Sequence, residues 1–219
     1  MRRFETLLLD LDGTLVDAFT TIHRAYVHTL PQFGRPAPTM AEVRRAVGGG
    51  LANAMRHFLP PELIPAASKI HTAYTEEILL EDVSLLPGAA DLLRAQHARG
   101  TRLAVYTNKF GSNARRICAH LCVSHYFQGV YGAGDTPWLK PQREFTDHVL
   151  RELGADAANT LMIGDSPFDV ETASNAGFPC WCVTTGTHDE AQLRDAGVER
   201  VFPNLATLGA ALRDKAGAL

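Results

Sequence analysis

The apolar run Leu7-Leu8-Leu9 ends in Asp10, Asp12 follows one residue later, and Gly13 and Thr14 come at once after it. Carboxylates so close raise one another's energy: like charges ~4 Å apart cost about 4 kcal/mol at an effective dielectric of 20. Three more groups of reactive or coordinating residues follow apolar runs downstream. They are Thr107-Asn108-Lys109, Lys140, and the stretch Gly164-Asp165-Ser166-Pro167-Phe168-Asp169. If these meet, four carboxylates face Lys140 and would protonate or weaken the fold unless a cation relieves them. Oxygen donors without histidine or cysteine select a hard divalent ion, so Mg²⁺ is the expected cofactor, with Asp10, Asp12, Asp165 and Asp169 as its ligands.

The same set suits a second guest. A cation, a lysine, a threonine hydroxyl, an asparagine amide and loop N–H groups all bind phosphate oxygens. Once the phosphate charge is screened, one carboxylate can attack phosphorus. Its neighbour can protonate the leaving alcohol and later take a proton from water. Residues two apart in a strand share a face, which lets Asp10 and Asp12 serve one phosphate. Gly13 permits a turn and a close backbone approach there.

Something must bring these groups together. Residues 4–9, 102–107, 160–165 and 179–185 read as strands apolar on both faces, as in parallel sheets covered by helices; 127–133 and 199–203 are weaker candidates. Helical patterns at 88–100, 112–121, 143–154, 166–177 and 188–197 alternate with them, and Gly100, Gly154 and Gly177 end three of these. The alternation predicts a doubly wound α/β core with a parallel sheet, in which ligands sit outside the carboxyl ends of the strands. About 90 residues separate the first strand from the second, far more than the dozen or so that a crossover needs. Residues 17–84 are therefore expected to be an inserted α-helical cap domain, and 1–16 with 85–219 the core. Val83–Gly88 would be the return linker.

Composition sets the outer bounds. The chain has 219 residues, a formal net charge of −3, 46% hydrophobic and 21% charged residues, an ordinary globular make-up. Without a basic run, no nucleic-acid or membrane partner is expected. No stretch approaches the ~18 apolar residues of a membrane span, and Glu5 interrupts the only signal-like start, so a cytoplasmic location is expected. Cys118, Cys122, Cys180 and Cys182 form no CxxC pair and are expected to be buried reduced thiols. Nothing here indicates an oligomeric state.

The motifs DLDGT (10–14), YTNK (106–109), LKP (139–141) and GDSPFDVE (164–171) together resemble those of the haloacid dehalogenase superfamily. The resemblance spans nearly the whole chain, and the helical insertion falls where that family places its cap. It implies Asp10 as nucleophile and Mg²⁺ ligand, and Asp12 as acid/base lending its backbone carbonyl to the metal. Thr107 and Asn108 would hold the phosphoryl group and Lys140 would neutralise it. Asp165 would bind the metal directly, and Asp169 directly or one shell out. Asp12 favours phosphate over dehalogenase chemistry.

Within the superfamily the sequence looks most like phosphoglycolate phosphatases, so the expected reaction is hydrolysis of a small phosphorylated metabolite, best guess 2-phosphoglycolate. Two alternatives are a sugar-phosphate mutase and a phospho-accepting signalling module without turnover. The mutases carry a cap histidine twelve positions after the nucleophile, where this chain has Ile22. Gly13 and Thr14 are the other expected phosphate neighbours. In the cap, Gly49 of the Gly48-Gly49-Gly50 run would offer backbone N–H groups to substrate, and Arg45 could clamp a substrate carboxylate. Tyr26, Leu30 and Phe33 read as cap core.

Overall fold

The computed structural model describes residues 4–214. Its elements run β1 (Thr6–Leu9), β2 (Val16–Asp17), α1 (Phe19–Thr29), α2 (Met40–Ala46), α3 (Leu51–Met55) and α4 (Ile64–Ile78). Then come β3 (Ser84–Leu85), α5 (Ala89–Ala98), β4 (Arg102–Phe110), α6 (Gly111–His120), β5 (Gly129–Ala133) and α7 (Arg143–Leu153). The chain continues through β6 (Thr160–Gly164), α8 (Pro167–Ala176), β7 (Cys180–Val183), α9 (Glu190–Asp195), β8 (Arg200–Phe202) and α10 (Leu205–Asp214).

Among the described residues six strands form one parallel sheet in the order β5-β4-β1-β6-β7-β8. This is the doubly wound α/β fold expected from the alternating pattern. Strand periodicity explains why both faces are dry. Leu7, Leu9, Leu103, Val105, Leu161, Ile163, Trp181 and Val183 point to one side, where α5, α6 and α10 cover them. Leu8, Ala104, Tyr106, Met162, Cys180 and Cys182 point to the other, against α7, α8 and α9. In α7, Phe145, Val149 and Leu153 recur every fourth residue and make its buried stripe, and Gly154 ends the helix in the left-handed conformation.

The chain leaves β1 for β4 and β5 on one side, then returns to β6, β7 and β8 on the other. The topological switch therefore lies at the carboxyl end of β1, where a crevice opens between β4 and β6. The helices α1 to α4 build a separate apolar cluster around Tyr26, Leu30, Val43, Met55 and Ala67, with Phe33 packed at its edge. Its two connections to the core zip together as an antiparallel ribbon, Val16 opposite Leu85 and Asp17 opposite Ser84.

Three features depart from the sequence reading. The β2–β3 ribbon and α10 were not expected; strands of two residues have no period to detect. Cys122 is exposed rather than buried, at a positive φ just past α6. And β4 runs on through Thr107, Asn108 and Lys109, which were expected to follow the strand. Its pairing with β5 shifts register between Tyr106 and Phe110, so the extended backbone there leaves strict alternation. No described helix is long and apolar enough to cross a membrane.

Candidate active site

The four motifs converge at the carboxyl end of the sheet. Lys140 is buried, and its Nζ donates to Asp10 Oδ1 at 2.8 Å and to Asp169 Oδ1 at 2.7 Å. Burial opposes its charge, but the two carboxylates outweigh that and raise its pKa above the ordinary lysine value. Asp10 is pushed up to about 6, chiefly by burial, with Lys140 opposing and Asp169 adding to the rise. Asp165 is raised well above the ordinary range by burial and then by the charges of Asp10 and Asp169.

Asp10, Asp165 and Asp169 each offer an oxygen within 4.8 Å of the others. The chain holds each of these carboxylates firmly. Asp165 Oδ1 accepts from the Thr14 hydroxyl at 3.1 Å, and its Oδ2 accepts from the Thr187 N–H at 2.8 Å and hydroxyl at 2.9 Å. Asp169 sits in the first turn of α8, where its Oδ2 accepts from the N–H groups of Asp165 and Ser166 and from the Ser166 hydroxyl. Ser166 is the N-cap of that helix in a reciprocal capping box. With both oxygens engaged, Asp169 fixes Lys140 and the loop that carries Asp165.

Asp12 stands apart from that trio. Its carboxylate accepts from Lys109 Nζ at 2.9 Å, with both side chains 11% exposed. Lys109 thus engages the Asp12 side chain, and the backbone carbonyl is the atom that the family resemblance assigns to the metal. Lys109 therefore faces the site. Its signal was its place in YTNK, in register with the other motifs. Two ammonium groups thus meet four carboxylates, and two negative charges remain in excess when all are ionised.

The neighbouring residues divide into those that face the cavity and those that brace it. Thr107 lines the cavity above Asp10 and Asp12. Asn108 also borders it, but its amide is committed: Nδ2 donates to the carbonyls of Gly48 and Lys140, and Oδ1 accepts from the Lys140 N–H. It ties the cap loop and the Lys140 loop to β4. Thr14 is turned onto Asp165 and not toward substrate.

Gly13, at φ +85°, lets Asp165 and the Gly186 backbone close in; a Cβ there would lie 2.7 Å from Gly186 Cα and 2.9 Å from Asp165 Oδ2. Both strain and overlap oppose a side chain, so Gly13→Ala is expected to cost on the order of 2 kcal/mol or more in urea unfolding. An unchanged midpoint would contradict this packing.

Two cap expectations change. Gly49 does not line the cavity. It packs where a Cβ would come within 2.7 Å of the Phe168 ring, which seats the cap loop on α8. Arg45 is exposed and outside the cavity. Its neighbour Arg44 instead stacks on Phe19 at 3.9 Å and donates to the Gly186 carbonyl at 3.1 Å. One helical position sends these two arginines to different surroundings. Thr187 and Ser166, not singled out beforehand, prove to be the main supports of the acidic cluster.

The family model of the haloacid dehalogenase-like hydrolases matches residues 7–183, a span that holds Asp10, Asp12, Thr107, Lys140, Asp165 and Asp169. The chain belongs to that family. It is 32% identical over 196 residues to "Probable phosphatase IndB" of Dickeya dadantii, covering 87% of this chain and 85% of the relative. It is 31% identical over 216 residues to a phosphoglycolate phosphatase of Rhodospirillum rubrum, covering 94% and 89%. A haloacid dehalogenase-like hydrolase of Streptococcus pneumoniae superposes with a TM-score of 0.86 at 26% identity, over 95% of this chain and 98% of that one. This haloacid dehalogenase-like hydrolase is thus an enzyme of the phosphatase type, similar to phosphoglycolate phosphatases, and its acidic cluster is one that could bind a metal.

Proposed function

We propose that the protein hydrolyses a small phosphomonoester, with Mg²⁺, through a phospho-aspartate on Asp10. The observation that carries this reading is the buried Lys140 bonded to both Asp10 and Asp169 beside Asp165, directly below a cavity. The donor set fits the ion: buried oxygens from aspartates, an excess of negative charge, and no histidine or cysteine among the clustered ligands. Asp10 and Asp165 would hold it by their side chains and Asp12 by its carbonyl. When bound, the ion supplies positive charge that offsets the carboxylates and the phosphate oxygens.

In the proposed reaction an Asp10 oxygen forms the new bond to phosphorus while the ester P–O bond breaks. The departing alkoxide takes a proton from Asp12. Asp12, now a carboxylate, removes a proton from the water that cleaves the acyl phosphate, releasing inorganic phosphate and regenerating Asp10. Lys109, which also lines the cavity, holds the Asp12 carboxylate at 2.9 Å and so fixes its position for both proton transfers. The segment 17–84 acts as the cap, held down by Asn108 and Phe168, and excludes bulk water from the first step.

At the position where sugar-phosphate mutases carry a cap histidine this chain has Ile22, which presents only hydrocarbon to the cavity. The relatives' names support 2-phosphoglycolate as one candidate substrate. Phosphate release from p-nitrophenyl phosphate, followed with Mg²⁺ and after chelation, tests the reaction. Chelated protein is expected to release none, and returning Mg²⁺ to restore turnover. At a hundredfold excess over its dissociation constant the ion should add about 2.7 kcal/mol to unfolding stability, seen as a rise in thermal midpoint. Catalysis at full rate in chelated protein would sink the metal assignment.

A further inference from the structure

The cavity between the helical segment and the sheet has a volume of about 320 Å³. That is within the size range of pockets for ring-containing ligands and generous for a two-carbon acid. Its floor is the catalytic group already described. Its upper wall is hydrocarbon, from Ile22, Tyr26, Val47, Leu51, Ala54 and Leu139. Phe110, one of two large apolar side chains exposed among the described residues, stands at its edge.

The polar residues of the upper wall are uncharged. Thr72, Thr75 and Asn113 line it, as does His71, whose ring packs edge-on against Tyr26 at 4.7 Å between centroids. Burial, and then the nearby charge of Lys109, lower the His71 pKa to about 4, which keeps the imidazole neutral at physiological pH. Among the described residues no arginine lines the cavity, and Lys109 is already bonded to Asp12. A substrate carboxylate would therefore be desolvated against apolar groups with no free cation to receive it, which is costly. His71 Nε2 and Asn113 Oδ1 are buried with no hydrogen-bond partner, so the wall carries unmet polar capacity beside its apolar area.

We infer that the alcohol part of the preferred phosphomonoester is an uncharged, largely apolar group of about one ring. The site accommodates a hydroxyl on that group, but the group is not a short carboxylic acid such as glycolate. This rests on the phosphatase reading and narrows its substrate class.

The test compares benzyl phosphate with 2-phosphoglycolate, since each releases a primary alcohol and their intrinsic reactivities are similar. The Mg²⁺-loaded enzyme is expected to show at least about tenfold higher kcat/KM for benzyl phosphate. Calorimetric binding to the Asp10→Asn variant is expected to rank the two the same way without turnover. Leu51→Arg, which brings a cation to the wall, should shift the preference toward 2-phosphoglycolate. A wild-type preference for 2-phosphoglycolate, in turnover or in binding, overturns the inference while leaving the phosphatase reading intact. Failure to hydrolyse either compound or p-nitrophenyl phosphate overturns both.

Discussion

Asp10→Asn is expected to leave a folded protein that releases no phosphate, with kcat at least about 10⁴-fold down. The amide keeps the size of the carboxylate but has lost the anionic oxygen that would attack phosphorus. Folding should survive, because the substitution removes a charge that burial and Asp169 already disfavour and that lifts the pKa of Asp10 to about 6. The unfolding midpoint of the metal-free variant at pH 8 should equal or exceed that of the parent. Steady-state phosphate release and quenched-flow labelling with radioactive phosphoester read the two halves separately. Labelled protein in the variant would show that another residue is the nucleophile.

Lys140→Ala is expected to lower kcat by about 10³-fold and to destabilise the chelated protein by about 3–5 kcal/mol near neutral pH. The side chain is 2% exposed, and its two short bonds are to the carboxylates of Asp10 and Asp169. Removing it leaves those charges buried without a counter-charge. The pH dependence has a definite sign. Asp10 already has a folded-state pKa raised above its ordinary 3.8, and loss of Lys140 raises it further. The folded variant then holds a proton that the unfolded chain has released, so its stability falls as pH rises from about 4 through the folded pKa. The deficit against the parent should be small near pH 4.5 and full at pH 8 in urea titrations. A deficit that does not change with pH would mean that Lys140 acts through packing alone.

Much of the site was legible because its residues stand at strand ends. A strand apolar on both faces can only be a covered parallel strand, and an acidic or polar residue just past its end must point to the switch-point crevice. Asp10, Asp165 and Lys140 could therefore be grouped before any coordinates. The size of the gap between the first two strands likewise placed the inserted helices. Residues whose partners come from distant loops could not be found in this way. Thr187 supports Asp165 across 22 positions, and Lys109 meets Asp12 across 97. Neither pairing leaves a period or a local motif. Arg44 and Arg45 are adjacent and identical in type, and only the packing of α2 decides which one meets the core.

Sequence alone determined the layer order, the helical insertion and the assembly of acids with one lysine, because these follow from apolar period and from charges that cannot stand together uncompensated. The tertiary structure alone decided which acid each cation neutralises, which threonines brace the cluster, and the apolar, uncharged wall that faces the substrate. Those outcomes depend on contacts between segments far apart in the chain, where hydrogen-bond direction and close packing, not local propensity, select the partner.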